Sequence, residues 1–496
     1  MFAANLVGPD VPWGDLAPLL VLLFGTCTLL LVGSLTPTWP RRGYAWFTGA
    51  IAVVALVLNC IKWNDLYYVT GETIFGDSLA LDRFSVLSGI IICVAIILAT
   101  LLLSSYVHRM NADGPELFAL ILTSAIGAMV MVAANDLIVL FLGLETLSLS
   151  LYLLAASNRG RDQSQEAGLK YFVLGGFSSA FFLYGIALVY GATGSTKISG
   201  ISSALSSSVS IHNGDAMLLV GIGMLLIGFG FKVSAAPFQV WTPDVYEGAP
   251  TPITAFMASA GKVAAFGALL RVLLVGFPTR VDDWRPAIWA LAIATVFVGS
   301  ILAVLQTNVK RMLAYSSISH AGFILIGVEA AGHASSDGMA MAMNYLAMYT
   351  VLVMGSFAVV LAVSGTSDGE TSLSDFKGLA KRRPSLALAF SILLFAQAGV
   401  PFTAGFVAKF GVIKSAVEAH SYALAIAAMV AAVIGAFLYL RIVVSMWLEE
   451  PATSEKISVD VATVAVIVIA VAFTVVVGFF PDMVLNATRL ARFAPR

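Results

Sequence analysis

Of 496 residues, 59% are hydrophobic and 11% charged, the formal net charge is −1 and the mean hydropathy is +0.94. So apolar a chain cannot cover itself with a water-facing surface, which excludes an ordinary soluble domain and places it in a bilayer. Counterion release needs a concentrated cationic surface, and the chain has no long basic run, so nucleic acid is excluded as a partner.

The N-terminal segment carries Asp10 and Asp15 but no Lys or Arg before its first apolar run. It therefore lacks the positive start of a cleaved export signal, and that run is expected to remain. A hydrocarbon core takes about 20 apolar residues per helix. Fourteen such runs are predicted, at 17–35, 44–61, 82–105, 116–134, 136–156, 166–192, 215–248, 251–274, 286–306, 309–330, 339–364, 384–417, 421–448 and 457–480. Their hydrophobicity is continuous, whereas barrel strands alternate over about 10 residues. The longest polar gaps, 62–81, 193–214 and 365–383, read as loops. The predicted fold class is an all-α polytopic membrane protein. Cys27, Cys60 and Cys93 each lie in an apolar run with no metal-ligand spacing, and read as buried packing residues.

Lys and Arg in short loops set the orientation. With the N-terminus outside, thirteen fall in inner loops, among them Arg41, Lys310, Arg311 and Lys456, and seven in outer segments, among them Lys62 and Arg496. Both termini are therefore expected on the outer side.

The runs 215–248 and 384–417 are too long for one straight crossing, and each contains a proline among small residues. The first reads Ser234-Ala235-Ala236-Pro237 and the second Ala398-Gly399-Val400-Pro401. Proline removes a backbone donor and clashes with the preceding turn, so helices 7 and 12 should break at Pro237 and Pro401. Matched breaks in two halves point to inverted repeats around a midplane ion site. The predicted organisation is a three-helix segment 1–115, repeats at 116–274 and 286–448, and helix 14 with its tail at 449–496.

Charges inside the spans are costly and mark ion pathways. Glu145 falls midway along the fifth run. Lys232 lies just before the first break, where freed carbonyls and water can solvate an ammonium, and Glu145 is its natural partner. Burial disfavours a charged lysine and a nearby carboxylate favours it, so such a pair can exchange a proton as its separation changes. Lys262 falls mid-way along the eighth run, too deep to snorkel. Lys409 follows the second break by about two turns, and His320, also mid-span, could relay between Lys262 and Lys409. Together these residues suggest a lateral polar axis in the membrane plane. Lys310 and Arg311 read as topology anchors, and Lys414 with Glu418 as a helix-end pair. There is no nucleotide fingerprint, cysteine cluster or haem-spaced histidine pair, so the energy for any pumping must come from elsewhere.

Three segments carry a family resemblance: the run from Pro237 to Pro252, which includes Trp241-Thr242-Pro243-Asp244-Val245-Tyr246-Glu247-Gly248, the run from Leu313 to His320, and the run from Gly399 to Phe410. They resemble the subunit N family of bacterial NADH:quinone oxidoreductase, respiratory complex I, whose members are antiporter-like proton channels. The resemblance covers nearly the whole chain. It implies that Glu145 and Lys232 form a coupled pair, that Lys262 continues the path, and that Lys409 connects to the periplasmic exit. It further implies a bacterial inner-membrane location, partners among the antiporter-like and small helical subunits of the membrane arm, and no cofactor in this chain. FMN, iron–sulfur clusters and quinone would be used by other subunits. Gln239 departs from the pattern, since relatives commonly carry histidine there and glutamine does not titrate.

A subunit of a multi-subunit sodium/proton antiporter shares these charges and is the nearest alternative. A solute transporter would need a substrate pocket, and a passive scaffold would have no use for midplane charges.

Overall fold

The computed structural model describes residues 11–36, 41–67, 71–110, 114–206, 215–365, 368–369, 371–451 and 457–494. Lys456 and Arg496, used above for orientation, lie outside them. In chain order the elements are α1 (Trp13–Leu35), α2 (Arg41–Asp65), β1 (Glu72–Ile74), β2 (Leu79–Leu81), α3 (Arg83–Met110), α4 (Glu116–Ala133), α5 (Leu137–Ala155), α6 (Asp162–Thr193) and α7 (Ile198–Ser206). There follow α8 (Asp215–Val233), α9 (Trp241–Gly248), α10 (Thr251–Arg271), α11 (Val281–Val304), α12 (Val309–Ala331) and α13 (Gly338–Val363). The last are α14 (Leu379–Arg382), α15 (Pro384–Ala398), α16 (Ala404–Glu418), α17 (Tyr422–Leu448), α18 (Val461–Phe479) and α19 (Asp482–Leu490).

Among the described residues 13 spans are long and apolar enough to cross a membrane, with α8 and α9 counted as one. The pair α15 and α16, 15 residues each, makes up the fourteenth. This matches the fourteen predicted runs: the chain is an all-α, multi-pass membrane protein. The helices α12 and α13 are buried almost throughout and form the centre, while α1, α2, α6, α17 and α18 expose apolar faces at the periphery.

Several expectations need correction. The gap 62–81 is no plain loop, because β1 and β2 pair antiparallel with Thr73 opposite Ala80. The gap 193–214 holds α7, whose Ile198 and Ile201 are buried, and 365–383 holds α14. Cys27 and Cys60 are exposed and only Cys93 is buried, since the outer helices turn their small residues to the surroundings as well as to the core. Lys310 is no surface anchor. It is fully buried and donates to Ala249 O at 2.8 Å, with Asp368 at 3.5 Å. Asp368 also accepts from the Thr251 amide at 2.9 Å and from the Thr251 hydroxyl at 2.6 Å, so the loop after α13 is folded over the lysine. Lys414 and Glu418 do pair, at 3.5 Å.

Two corners of the molecule repeat each other. At the α4–α5 turn, Leu137 N donates to Thr196 O at 2.9 Å and Ile198 N donates to Asn135 O at 2.7 Å. At the α11–α12 turn, Val309 N donates to Thr371 O at 2.7 Å and Leu373 N donates to Thr307 O at 2.8 Å. In each corner a polar side chain caps the following helix: Asp136 accepts from Ile138 N, and Asn308 accepts from Arg311 N. Glycines let the paired helices touch through backbone: a Cβ on Gly127 would lie 2.4 Å from Leu147 N, and one on Gly299 would lie 2.3 Å from Ser319 N.

A buried ion pair ties the N-terminal helices to this core. Arg271 Nη1 and Nη2 bind Asp82 at 2.8 and 2.9 Å, and its Nε donates to Val132 O at 2.8 Å. The guanidinium faces the rings of Phe84 and Phe493, which pack on each other at 4.5 Å, and Ala494 N donates to Asp82 at 3.0 Å. Taking such a pair out of water is costly, and the bidentate geometry with further hydrogen bonds is what makes it tolerable.

Candidate functional site

Both long helices break where proline was read. After α8, Ser234 adopts a positive φ of 65°, Ala235 N returns to Gly230 O at 2.8 Å, and the chain passes Pro237 before α9 begins. Ala236 N, left without a helical acceptor, is satisfied by Thr295 Oγ1 of α11 at 2.9 Å. After α15, Gly399 at φ 93° and Phe402 at φ 66° turn the chain past Pro401. Thr403 caps α16, its hydroxyl accepting from Phe406 N at 3.3 Å. Here glycine is needed twice: position 399 has the wrong φ for a side chain, and a Cβ on Gly405 would lie 1.7 Å from Ala396 O.

At the first break, Lys232 is 7% exposed and donates to Ser148 Oγ of α5 at 2.6 Å. Its ammonium faces the rings of Tyr152 at 5.4 Å and Tyr171 at 5.5 Å, a cation–π setting that stabilises a charge with few other partners. Trp241 stacks on Tyr171 at 4.5 Å and donates to Phe231 O at 2.9 Å, so the freed carbonyl goes to the indole and not to the lysine. Glu145 is half-buried and accepts from the Ser179 hydroxyl of α6. It forms no direct ion pair with Lys232; Ser148, one turn along α5, stands at the lysine instead. Glu145 and Ser148 thus lie one turn apart on α5, and Lys232 of α8 donates to the serine.

The other three residues gather around α12. Lys262, 1% exposed, donates to the Ser317 carbonyl and faces the Tyr349 ring at 5.8 Å. His320, 3% exposed, has both ring nitrogens engaged: Nδ1 with Tyr345 OH at 2.6 Å and Nε2 with Tyr439 OH at 3.1 Å. Tyr439 OH continues to Ser316 Oγ at 2.6 Å, and Gln397, from the end of α15, donates to Ser356 at 2.6 Å. Lys409 donates to Ala398 O, the last carbonyl of α15, at 3.0 Å and lies 4.9 Å from the centre of the Phe323 ring. The imidazole therefore stands between two buried lysines within a chain of hydroxyls, an arrangement suited to passing protons.

The five predicted residues form two clusters, Glu145 with Lys232 and Lys262 with His320 and Lys409. No side-chain hydrogen bond among the described residues joins the two. Between them stand Trp241 and Tyr246, whose rings meet edge-on at 6.0 Å. Sequence reading missed Ser148, Tyr152, Ser179, Tyr345, Tyr439 and Gln397. A usable signal existed for the first two, which fall three and seven residues after Glu145 and so share its helix face. Arg441 of α17 donates to Val304 O at 2.9 Å and Gln306 O at 3.0 Å, closing the end of α11. Gln239 lies outside both clusters, and its Oε1 has no hydrogen-bond partner among the described residues.

The family described as NADH:quinone oxidoreductase/Mrp antiporter, transmembrane, matches residues 134–435, which include both clusters. A relative from Herpetosiphon aurantiacus, named NADH-quinone oxidoreductase subunit N 1, is 44% identical over 97% of this chain and 96% of its own. A chain of respiratory complex I from Thermus thermophilus superposes with a TM-score of 0.80 at 29% identity, covering 96% of this chain and all of that one (100%). A chain of the Mrp complex from a Dietzia species superposes with a TM-score of 0.86 at 20% identity over 97% of both chains, a likeness of fold.

Proposed function

The chain belongs to the subunit N family of NADH:quinone oxidoreductase, and from that premise we propose that it moves protons across the membrane along Glu145, Lys232, Lys262, His320 and Lys409, driven by quinone reduction in neighbouring subunits. It acts as one subunit of a proton-translocating NADH:quinone reductase. FMN, iron–sulfur and quinone chemistry belong to other subunits, and its partners are the other membrane-arm subunits. The observation that carries the reading is His320, held by two tyrosine hydroxyls between Lys262 and Lys409. A fully buried imidazole with buried lysines on both sides is costly for stability and useful for proton transfer.

The two five-helix units are part of this proposal. The matched hydrogen bonds at the α4–α5 and α11–α12 corners support repeats covering 116–274 and 286–448. Five is odd, so equivalent corners fall on opposite faces of the bilayer, which makes the repeats inverted. We place the chain in the bacterial inner membrane with both termini outside, from the Lys and Arg distribution. The Mrp likeness supports a shared scaffold, while 44% identity over nearly the full length favours the complex I subunit over the antiporter.

The test uses the purified complex in proteoliposomes, with NADH oxidation and dye-reported acidification read on the same sample. Lys262→Met and Lys409→Met should lower pumping, and unchanged pumping in both would remove the residue assignment. Co-purification of the tagged chain with flavin and iron–sulfur subunits supports the assembly; recovery with antiporter subunits alone overturns it.

A further inference from the structure

The hydrogen bonds that run from His320 to the end of α15 have a fixed polarity, set at their far end. Ser356 of α13 has one hydroxyl proton and donates it to Leu352 O, one turn back, at 2.9 Å. Toward Gln397 of α15 it can therefore only accept, and the group that faces it at 2.6 Å is the amide nitrogen. The amide oxygen then points to Ser316 of α12, whose Oγ lies 3.4 Å from it. All three side chains are buried, so bulk water does not compete for these links.

From Gln397 the polarity passes back to the ring. An amide oxygen has no proton to give, so Ser316 donates to it and accepts from Tyr439 OH, 2.6 Å away. Tyr439 of α17 has then spent its only proton and must accept from His320 Nε2 at 3.1 Å. The hydrogen bond made by one ring nitrogen sets the state of the other. A neutral imidazole held in this way carries its proton on Nε2 and leaves Nδ1 bare, and the Tyr345 hydroxyl of α13 donates to Nδ1 at 2.6 Å.

Ser316, Tyr439 and Tyr345 could each turn a hydroxyl either way on their own. Gln397 is different, because turning its amide over would set an oxygen against Ser356, whose proton is already spent on Leu352 O. A buried acceptor facing an acceptor is an uncompensated loss, so the amide stays as it is. The choice of tautomer is thus made by two side chains that do not hydrogen-bond the ring, since both of its nitrogens are engaged by tyrosines.

We propose that Ser356 and Gln397 are positioning residues that hold His320 as the Nε2–H tautomer, so that protons load and unload only at Nδ1, through Tyr345. A proton leaving Nε2 would pass to Tyr439 and Ser316 and end at Gln397, whose amide neither takes up nor releases protons near neutral pH. That side of the ring is closed. On the open side, the Tyr345 hydroxyl gives its proton to Nδ1 while its oxygen takes the arriving one, which yields an imidazolium and leaves the tyrosine neutral. Unloading reverses both transfers and restores the same tautomer. This inference rests on the reading of His320 as a proton-path residue.

The test reads two quantities on the assembled complex in proteoliposomes: NADH-driven acidification per amount of complex, and the tautomer of His320 by solid-state nitrogen NMR with ring-labelled histidine. The His320 signals are those lost in His320→Gln, which also serves as the pumping reference. In the wild type the proton should sit on Nε2; a ring protonated on Nδ1, or on both nitrogens, overturns the proposal. Ser356→Ala lets the amide sit either way, so about half of the copies should hold the other tautomer and pumping should fall about twofold. Tyr345→Phe should lose as much pumping as His320→Gln. If His320→Gln loses pumping while Tyr345→Phe and Ser356→Ala keep it, the one-sided route is wrong and the role of His320 stands. If His320→Gln itself pumps normally, the underlying reading fails. A loss in Ser356→Ala with the Nε2 signal unmoved would mean that the serine only shapes the fold, which also overturns the proposal. Should Ser356→Ala not assemble, Gln397→Met, which removes the polar amide at similar length, is read in the same way.

Discussion

The two helix breaks look alike in sequence and solve opposite problems. At Pro237 the lysine precedes the break, and its partners come from elsewhere: a serine hydroxyl on α5 and a pair of tyrosine rings. At Pro401 the lysine follows the break and takes the carbonyl that the break releases, Ala398 O. The first ammonium is therefore held by side chains that a mutation can remove, and the second by backbone that no substitution at Ala398 deletes. The backbone is looser at the first break too. A Cβ on Gly230 would meet the Phe238 ring at 2.7 Å, whereas one on Gly405 would run into the Ala396 carbonyl at 1.7 Å.

That contrast can be broken or sharpened by substitution. The largest effect is expected from Lys409→Met, which removes the group carried by the second break; pumping per assembled complex should fall by at least about tenfold. Gly405→Ala comes next. The new methyl has nowhere to go unless α15 and α16 separate, at a cost of about 3 kcal/mol, seen as a lower melting temperature or a reduced yield of complex. Ser148→Ala should leave assembly intact while costing Lys232 a charged hydrogen bond of about 2 kcal/mol. The readout is a slower pumping rate, and a rate equal to wild type would show that the tyrosine rings suffice. Gly230→Ala should be the mildest, below about 1 kcal/mol, because the Phe238 ring can rotate aside. Equal damage from Gly230→Ala and Gly405→Ala would erase the difference between the breaks.

What could be read from sequence follows from how unusual a residue is in its setting. Apolar runs of helix length, a proline inside one, and a lone Glu, Lys or His among aliphatics all stand out, so the spans, both breaks and the five central residues were visible. Tyr345, Tyr439 and Gln397 did not stand out, because tyrosine and glutamine are unremarkable in a long helix and matter here only through the His320 chain. Lys310 reads as an anchor because a lysine near a helix start ordinarily faces the interface. Only tertiary folding brings Asp368 over it. The sequence makes Glu145 the natural partner of Lys232, and only the packing of α5 on α8 shows that the lysine donates to Ser148.

The buried pair of Asp82 and Arg271 has a bearing on biosynthesis. Its partners are separated by 189 positions, and the amide that completes the Asp82 site, from Ala494, is 412 positions away from it. During translation α3 must enter the bilayer with a bare carboxylate at its start, wait for α10 to deliver the guanidinium, and then wait again until Phe493 and Ala494 leave the ribosome. The carboxylate thus lacks its counter-charge over the 189 positions that separate Asp82 from Arg271. A quality-control protease or insertion chaperone able to sense an uncovered charge at the membrane surface would find one there in every nascent copy that stalls between Asp82 and Arg271.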